Sequence, residues 1–521
     1  MFCLSPVSIT VTPALHLVKR GLFTVRTANL LVLSLLILVS GVPAVDGLGP
    51  SNPPPVALAA ASQTFADYAR DATATLESTW LAGSAWRLCL APGCPTTNRD
   101  WGADALTYDL YFRWRTTRQP ALAPLLQALS SSAPVYAPCS GSHCSQWSDT
   151  PLWDGVAAAR EYQATGAAEA LQHAIGAFNA VQAARTLYAR GACSGILYQQ
   201  PFGGTNHLKT LETGSNYVKA ALLLYSSTGN QTYLTDATTM YAAIRRHFLD
   251  PRVPLYTVYV FDDGQQCRQL PHRFFASVNG NMIDDGLLLA NATHDATYLD
   301  DAELTARAVA TQLADPRGIY ADLQAENDTT EPLVEAMYNL ATLAHQAFAR
   351  DWLIESAAAA LSARTANGYG RFFDGPPPVS ALTAWQTSGG FALVIAAAAL
   401  DPEAQPATTN AWAAAGYVAH DIASLPATLT FTGSGIALIG TIGAHCCEAG
   451  HARVLVDGRE TFDQTGIWQN KSSSGRSLPN AVLFAWRWPA SRQHTLTFLP
   501  GLFNGKEGGS YLHLAGYLLL P

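Results

Sequence analysis

The chain has 521 residues, which is enough for two to four domains at about 100–200 residues each. Hydrophobic residues make up 49% of it and charged residues only 13%, a composition that supports a large packed core and excludes a disordered chain. The formal net charge is −8 and no basic stripe is present, so the attraction to phosphate that nucleic-acid binding requires is missing and we expect no nucleic-acid partner.

The N-terminal segment 1–44 predicts a signal peptide. Basic residues precede an apolar run over 30–39, and Val42 and Ala44 suit the −3 and −1 positions of a cleavage site. The run is shorter than the ~20 apolar residues that a membrane span needs, although an uncleaved membrane anchor is the alternative. Both interpretations export the rest of the chain, so we expect a secreted, extracellular protein.

The cysteines agree with export. Of the nine, one precedes the cleavage site, and the spacing of the others predicts the disulfides Cys89–Cys94, Cys139–Cys144 and Cys193–Cys267. Cys446 and Cys447 are adjacent, and a disulfide between neighbours is strained. A zinc site at Cys139, His143 and Cys144 is the alternative, but an oxidising compartment favours disulfides and we predict no metal. If the source is eukaryotic, the chain is also a glycoprotein, with sequons at Asn230, Asn291, Asn327 and Asn470.

Residues 45–61 are rich in Pro, Ala and Ser and predict a linker, and residues 62–400 then carry a helical signal throughout. About a dozen helical segments follow one another with no convincing strand between them, more than a four-helix bundle holds. Several are paired through similar connectors, YQATGAAEALQHA, YSSTGNQTYLTDA and NATHDATYLDDA. A helical hairpin repeated about every 60–70 residues predicts six hairpins closed into a ring.

The pattern changes after residue 400. Prolines break the helix in a linker over 401–407, and alternating or β-branched segments follow, with VDGRE as a hairpin signal. This predicts a small all-β sandwich over 408–521. It is similar to modules appended to secreted carbohydrate-active enzymes, so it is either a carbohydrate-binding module or a packing domain. The aromatic residues available for sugar stacking are Trp468, Trp486 and Trp488.

The segment 146–154, QWSDTPLWD, is the most informative for chemistry. Ser148 or Asp149 can cap the helix that follows, and Pro151 suits its first turn. A carboxylate at a helix start beside two tryptophans also suits a sugar site, because indole faces stack on a pyranose and the acid can transfer a proton. Asp149 is therefore either a helix cap or a catalytic group.

The stretch SDTPLWDGVAAAREY resembles the signature of glycoside hydrolase family 76, the endo-α-1,6-mannanases, in which two adjacent aspartates precede an aromatic residue, a tryptophan and a small-residue helix. Other segments resemble the family in the same order over 62–400, above all KTLETGSNYVKAALLLYSSTGNQTYLTDA. The resemblance implies an all-α (α/α)6 toroid of the six-hairpin glycosidase type. It also implies a hydrolase that cuts within α-mannan or a related cell-wall polysaccharide held in an open groove. We expect a monomer without cofactor, in contact with cell wall or extracellular matrix.

The sequence departs from this signature at Ser148. The family uses one aspartate as nucleophile and the other as acid/base, and Asp149 matches the second, so the resemblance implies the acid/base role for it. A retaining mechanism needs two carboxyl groups about 5–5.5 Å apart, and serine cannot replace the nucleophile. The alternatives are a catalytically inactive glycan-binding or cell-wall protein on the same fold, and a transglycosylase of wall assembly.

A second carboxylate is predicted at Asp284 and Asp285, which follow VNGN at the start of a predicted helix, Asp284–Ala292. Helix starts in a toroid converge on one face, although stabilisation of the helix dipole explains the same position. An inverting mechanism with Asp149 and Asp285 about 6.5–9.5 Å apart is the other arrangement. Further acids considered for this role are Asp154, Asp104, Asp109, Glu212, Glu326 and Asp328.

The remaining predicted site residues bind substrate. Aromatic residues that could form sugar-stacking walls are Trp101, Trp147, Trp153, Tyr217 and Trp385, and burial between helices is the alternative for each. Polar residues that resemble groove positions of the family are Lys209, Glu212, Asn216 and Asn281. Nothing singles out His207 or His272 for proton transfer.

Overall fold

The computed structural model describes residues 63–132, 136, 147–183, 191–198, 208–270, 274–321, 328–378, 382–422, 424–442, 452–460, 478–500, 502–503, 506–507 and 514–521. All of them belong to one compact unit. Several sequence predictions lie outside these residues, namely the signal peptide and its linker, Cys139, His143, Cys144, His207, His272, Glu326, Cys446, Cys447 and Trp468.

The described part of the chain contains twelve α-helices. They are α1 Phe65–Thr75, α2 Trp101–Thr117, α3 Leu122–Ser132, α4 Thr150–Thr165, α5 Ala168–Ala183, α6 Leu211–Thr228, α7 Gln231–Phe248, α8 Ala276–Thr293, α9 Thr297–Gln312, α10 Glu331–Thr342, α11 Ala347–Ser362 and α12 Ala384–Leu400. None of the described helices combines the length and the apolar character that a membrane crossing requires.

The even-numbered helices form a closed inner ring. Each packs against the next, from α2 through α4, α6, α8 and α10 to α12, and α12 packs back against α2. The odd-numbered helices cover the outside of this ring. α12 is apolar on all sides, as a helix buried between two layers must be, and a Cβ at Gly390 would lie 2.2 Å from the Cβ of Tyr369. The arrangement confirms the predicted (α/α)6 toroid.

The shared connectors of the sequence are the turns between inner and outer helices. The residue after α4, α6 and α8 is Gly166, Gly229 and His294, with φ of 69°, 70° and 60°. A helix commonly ends at a residue in this left-handed conformation, which glycine adopts without steric cost. Its amide donates back into the last turn in all three hairpins, so the similarity of the connectors has a local physical cause.

Short strands lie in the connections between the helices of the ring, and longer strands form a C-terminal sheet. The strands are β1 Leu81–Ala82, β2 Ala85–Arg87, β3 Thr96–Thr97, β4 Leu208–Thr210, β5 Tyr259–Asp262, β6 Cys267–Gln269, β7 Arg364–Thr365, β8 Gly368–Tyr369, β9 Gly416–Ala419, β10 Ala427–Ile442, β11 Ala452–Val456, β12 Arg459–Glu460, β13 Leu478–Pro500, β14 Leu502–Phe503, β15 Lys506–Glu507 and β16 Leu514–Leu520. Six of them form one antiparallel sheet in the order β12-β11-β13-β10-β16-β9.

The VDGRE segment forms the predicted hairpin. Val456 pairs with Arg459, and the two residues between them, Asp457 and Gly458, have φ of 52° and 75°, the left-handed pair that a tight Asp-Gly turn requires. The C-terminal sheet is therefore present, while its arrangement as a two-layer sandwich stays a prediction.

The sheet is fixed against the helical ring by Asp374. Both oxygens of its carboxylate accept hydrogen bonds from Arg487 of β13 at 3.0 Å, and Arg317, which follows α9, also pairs with it. The backbone carbonyl of Asp374 accepts a bond from the Trp412 indole at 2.9 Å. The loop closed by the Cys89–Cys94 disulfide packs into the apolar core of the sheet. This disulfide and Cys193–Cys267 both form as predicted.

Candidate active site

The starts of the inner helices gather at one end of the ring. The Asp328 carboxylate, just before α10, accepts a hydrogen bond from the first amide of α8, Ala276, at 2.6 Å. Ser148, before α4, is hydrogen-bonded to Thr213 in the first turn of α6 at 2.9 Å. Helix starts expose unpaired N–H groups and the positive end of the helix dipole. This end of the ring is therefore suited to hold several carboxylates.

Tryptophans from three inner helices meet at the same end. The ring centroid of Trp101 lies 4.9 Å from that of Trp385 and 6.4 Å from that of Trp153. Trp153 and Trp385 are buried, whereas Trp101 is half-buried and Trp147 is 40% exposed. Of the five predicted stacking residues, only Trp101 and Trp147 therefore present surface to a sugar, and the other three, Trp153, Tyr217 and Trp385, are buried.

Asp149 lies immediately before α4 and is half-buried. Asp149 occupies the N-cap position, but its side chain makes no capping hydrogen bond, and its Oδ1 is shielded from solvent without a hydrogen-bond partner. Capping therefore does not account for this carboxylate. Removal from water raises the pKa of Asp149 to about 6, and the negative charge of Asp100 adds to this, while backbone N–H groups of Asp149 and Thr150 oppose it. Asp149 therefore holds its proton far more tightly than an ordinary aspartic acid.

Glu212 is a carboxylate close enough to Asp149 for the charge of Asp149 to raise its pKa. It lies in the first turn of α6, half-buried, and accepts a hydrogen bond from the Thr210 hydroxyl at 3.2 Å. Removal from water raises the pKa of Glu212 well above its ordinary value, and the charges of Asp149 and Asp328 raise it further. Among the described residues, no lysine or arginine shifts the pKa of either Asp149 or Glu212. The charge of Asp149 therefore acts on Glu212 with no compensating cation in the described part of the chain.

Asp284 and Asp285 do not belong to this end of the ring. Helix α8 begins at Ala276, so the prediction that these aspartates start a helix is wrong, and both are buried among the inner helices. Asp284 pairs with Lys219 and accepts a bond from the Asn339 amide at 2.6 Å, and the carboxylate of Asp285 lies 3.5 Å from the Lys219 ammonium. Burial alone would raise the pKa of Asp284, but its partners hold it below the ordinary value.

The VNGN segment has the composition of a loop, but tertiary contacts stabilise it as part of helix α8. Asn279 accepts a hydrogen bond from the Tyr256 amide at 2.9 Å and donates to the Tyr256 carbonyl at 3.1 Å. A Cβ at Gly280 would lie 2.3 Å from the backbone nitrogen of Leu333, so glycine permits α8 and α10 to touch. Asparagine and glycine here serve helix packing rather than a turn.

Three of the four polar residues predicted to bind substrate, Lys209, Asn216 and Asn281, lie beneath the surface, and only Glu212 is partly exposed. Lys209 is fully buried, with its ammonium 2.9 Å from Asp262 and donating to the Cys193 carbonyl at 2.8 Å. Asn281 donates to the Asn216 side chain at 3.1 Å, and Asn216 donates to the Glu212 carbonyl at 2.9 Å. These contacts join α8 to the first turn of α6, so both asparagines support Glu212 from below.

Ser148, which stands where the family signature has its first aspartate, is a buried residue with structural hydrogen bonds. Ser148 is 1% exposed, and its hydroxyl donates to the Tyr198 carbonyl at 2.8 Å in addition to its contact with Thr213. Asp328 is also buried and holds the start of α8, as described above. Of the acids considered from the sequence, Glu212 is thus the one that the described structure places with Asp149 and leaves partly exposed.

One group of three residues in the described chain has its donor atoms within one metal coordination sphere: Cys193, His247 and Cys267. The two cysteines are joined in a disulfide, and the Cys267 sulfur lies 3.3 Å from His247 Nδ1. A disulfide supplies no thiolate ligands, so this group is not a metal centre in the oxidised protein.

Comparison with known proteins gives the following. The model of Glycosyl hydrolase family 76 matches residues 92–373. A search of curated proteins gave no match. Among solved structures, the chain is similar to an inactive variant of the α-1,6-mannanase GH76A of Salegentibacter sp. in complex with α-1,6-mannotriose, with TM-score 0.55 and 17% identity over 65% of this chain and 100% of that one.

Two further structures show the same likeness. A family 76 mannosidase from Bacteroides thetaiotaomicron has TM-score 0.55 and 14% identity, covering 64% of this chain and 98% of that one. Dfg5 from Chaetomium thermophilum, in complex with glucosamine, has TM-score 0.50 and 15% identity, covering 66% of this chain and 92% of that one. At these identities the structural similarity establishes a shared fold.

Proposed function

The chain belongs to glycosyl hydrolase family 76, and from this premise we propose that it is a secreted hydrolase of α-mannan or a related cell-wall polysaccharide. It cleaves internal bonds of the polysaccharide, and Asp149 and Glu212 are its two catalytic carboxyl groups. The observation that carries this proposal is the pair itself. Two half-buried acids with raised pKa values and no cationic partner among the described residues lie at the helix starts, beside partly exposed tryptophans. Perturbed acids in such a position are typical of acid–base catalysis.

The two raised pKa values suggest how the roles divide. Because the acids interact, they titrate as a pair. Burial and the charge of Asp149 raise the pKa of Glu212 well above its ordinary value, and that of Asp149 is about 6, so we assign the proton of the pair to Glu212 and the ionised form to Asp149. Glu212 then protonates the departing glycosidic oxygen as the C1–O bond breaks. Asp149 either removes a proton from the attacking water or attacks C1 itself. The family resemblance gives Asp149 the acid/base role, and the pKa of Glu212 favours this reversed division.

The substrate class rests on the relatives. Two structures of the Salegentibacter mannanase hold α-1,6-manno-oligosaccharides in the same fold, which supports an α-mannan substrate here. We assign the exposed Trp147, two residues before Asp149, to stacking on a sugar next to the cleaved bond, which its exposure supports.

A second function is favoured by one observation. The Ser148 hydroxyl is engaged by Tyr198 and Thr213, so the first carboxylate of the family signature is replaced by a structural contact. If Glu212 does not supply the missing carboxylate, the chain is a glycan-binding protein that does not cleave its ligand.

The deciding experiment measures reducing ends released by the purified mature protein from α-1,6-mannan and a panel of wall glycans. Asp149→Asn and Glu212→Gln should each lower the rate by about 10²–10⁴-fold without lowering the melting temperature, because acid–base groups contribute factors of this size. Asp300→Asn, which changes an exposed acid on the outer helix α9, is the matched control and should be neutral.

The outcomes separate the candidate functions. Full activity of either site variant would exclude the proposed pair. No release from any glycan, with binding retained, would establish the glycan-binding function. Products longer than the substrate would establish a transglycosylase, and the anomeric form of the first product would separate retention from inversion.

A further inference from the structure

A second polar cavity lies between α2, α3, α4 and α5, apart from the Asp149–Glu212 pair. Oxygen-bearing side chains dominate its wall: Asn98, Asp104, Thr107, Tyr136, Asp154 and Glu161. The space holds about one water-sized particle, which is the scale of a single ion rather than of a sugar. Three carboxyl groups on one cavity of this size are unusual, because a buried carboxylate is costly unless it is paired or bound.

Two of these acids direct unpartnered oxygens at the cavity. Asp104 in the first turn of α2 is 1% exposed and Asp154 in the first turns of α4 is 7% exposed, and neither Asp104 Oδ2 nor Asp154 Oδ1 has a hydrogen-bond partner. The two carboxyl groups also contact each other, and the Tyr136 hydroxyl donates to Asp154. Carboxyl groups in such contact require either a shared proton or a cation beside them.

The charge of the wall favours a cation. Its acids are Asp104, Asp154 and Glu161, and its one permanent positive charge is Arg99, whose guanidinium lies 4.5 Å over the Tyr136 ring. Burial and Arg99 lower the pKa of His173, so this histidine is neutral near pH 7. Burial raises the pKa of Asp104, Asp154 and Glu161, so these acids hold protons more tightly than ordinary carboxyl groups. When a cation displaces those protons, three carboxylates and Arg99 leave two excess negative charges among the described residues of the wall, which one divalent cation neutralises.

We propose that this cavity is a calcium site formed by the carboxylates of Asp104 and Asp154. The neutral oxygens of Asn98 and Thr107 complete an irregular oxygen set, which suits Ca²⁺ better than Mg²⁺ because Mg²⁺ demands near-ideal octahedral geometry. Glu161 does not share one coordination sphere with both aspartates and contributes charge from farther away. The ion joins α2 to α4 directly below the helix starts that carry Trp101 and Asp149.

The proposal is tested by calcium titration of the full mature protein after treatment with a chelator. We expect the melting temperature to rise saturably by about 2 °C or more, because a ligand that binds only the folded state stabilises it. Calorimetry should show a single binding event per chain. Asp104→Asn and Asp154→Asn should each weaken calcium binding at least tenfold, and Mg²⁺ should give a smaller shift than Ca²⁺.

Asp109→Asn is the matched control, because Asp109 is a buried acid of the same helix α2 that does not line the cavity, and its calcium response should equal that of the wild type. Absence of both a temperature shift and binding heat in the wild type would overturn the proposal. If Asp104→Asn then raised the melting temperature by itself, a shared proton between the two aspartates would replace the ion. Equal shifts with Mg²⁺ would overturn the assignment to calcium.

Discussion

Asp284, inside the helical ring, and Asp149, at its end, show opposite shifts in pKa. In the interior, Asp284 pairs with Lys219, and Glu335 pairs with Arg160 and with Arg115 at 3.2 Å. At the end of the ring, the charge of Asp149 acts on Glu212, and no described lysine or arginine shifts the pKa of either. Burial raises the pKa of an acid in both places. The ammonium of Lys219 outweighs burial at Asp284, whose pKa is lowered, whereas burial prevails at Asp285 and at Asp149, whose pKa values are raised. The adjacent aspartates of the sequence, Asp284 and Asp285, are therefore structural, although they resemble a catalytic pair.

The largest effect expected from this contrast is the loss of stability on Lys219→Met. The change leaves Asp284 and Asp285 buried without their cation, and breaking one partner of a buried ion pair costs about 3–5 kcal/mol. Urea denaturation of the wild type and the variant measures this loss in the free energy of unfolding. Glu212→Gln is the control and should show no loss. Equal stability of Lys219→Met and the wild type would mean that the interior acids do not need their partner.

The pH dependence of activity gives a sharper comparison. Because the pKa of Asp149 is about 6, activity should fall by about tenfold for each pH unit below 6 if Asp149 acts in its ionised form. If activity instead falls as the pH rises above 6, Asp149 acts in its protonated form and is the proton donor. Initial rates on α-1,6-mannan from pH 4 to 9, with the substrate both limiting and saturating, separate the two outcomes.

The pH dependence of stability has opposite signs at Asp149 and at Asp284. The folded pKa of Asp149 lies above its unfolded value of 3.8, so its contribution to stability is complete below that value and is lost as the pH rises through about 6. The folded pKa of Asp284 is lowered, so its contribution is present above 3.8 and is lost as the pH falls through the folded pKa. The stability of the wild type relative to Asp149→Asn should therefore increase from pH 7 to pH 4.

The smallest effect is expected at Trp147. This side chain is 40% exposed, so Trp147→Ala should leave the melting temperature unchanged and raise KM by about threefold to tenfold, the value of one aromatic stacking contact. Trp153→Ala is the contrasting variant, because Trp153 is 2% exposed and its removal should cost about 3–5 kcal/mol of unfolding free energy. An unchanged KM for Trp147→Ala on every glycan that is cleaved would exclude it from the binding surface.

Local features of the sequence predicted what local physics controls. The similar connectors end their helices at Gly166, Gly229 and His294, and Asp457-Gly458 forms its hairpin, because each depends only on neighbouring residues. The ring itself was predicted from the number of helical hairpins and from the resemblance to the family.

The partner of Asp149 could not be predicted so directly. Glu212 is far from Asp149 in sequence, and only the packing of α4 against α6 makes them neighbours. Its one local signal is an acid in the first turn after the capping residue Thr210, which many structural helices share. Lys209 was predicted to face the groove, because a lysine at a strand–helix junction is usually exposed. It is buried instead, because Asp262 of β5, which is far from it in sequence, neutralises its charge.

Closure of the ring has a consequence for how the protein is made. Trp101 at the start of α2 rests on Trp385 at the start of α12, and Leu90 and Leu88 exchange backbone hydrogen bonds of 3.0 and 2.9 Å with Leu382 and Ala384. The first inner helix therefore cannot complete its packing until nearly the whole helical region has left the ribosome. Contacts this distant in sequence form late in folding, and the unfinished ring leaves apolar surface exposed in the meantime. The growing chain thus depends on being kept apart from other chains until α12 arrives.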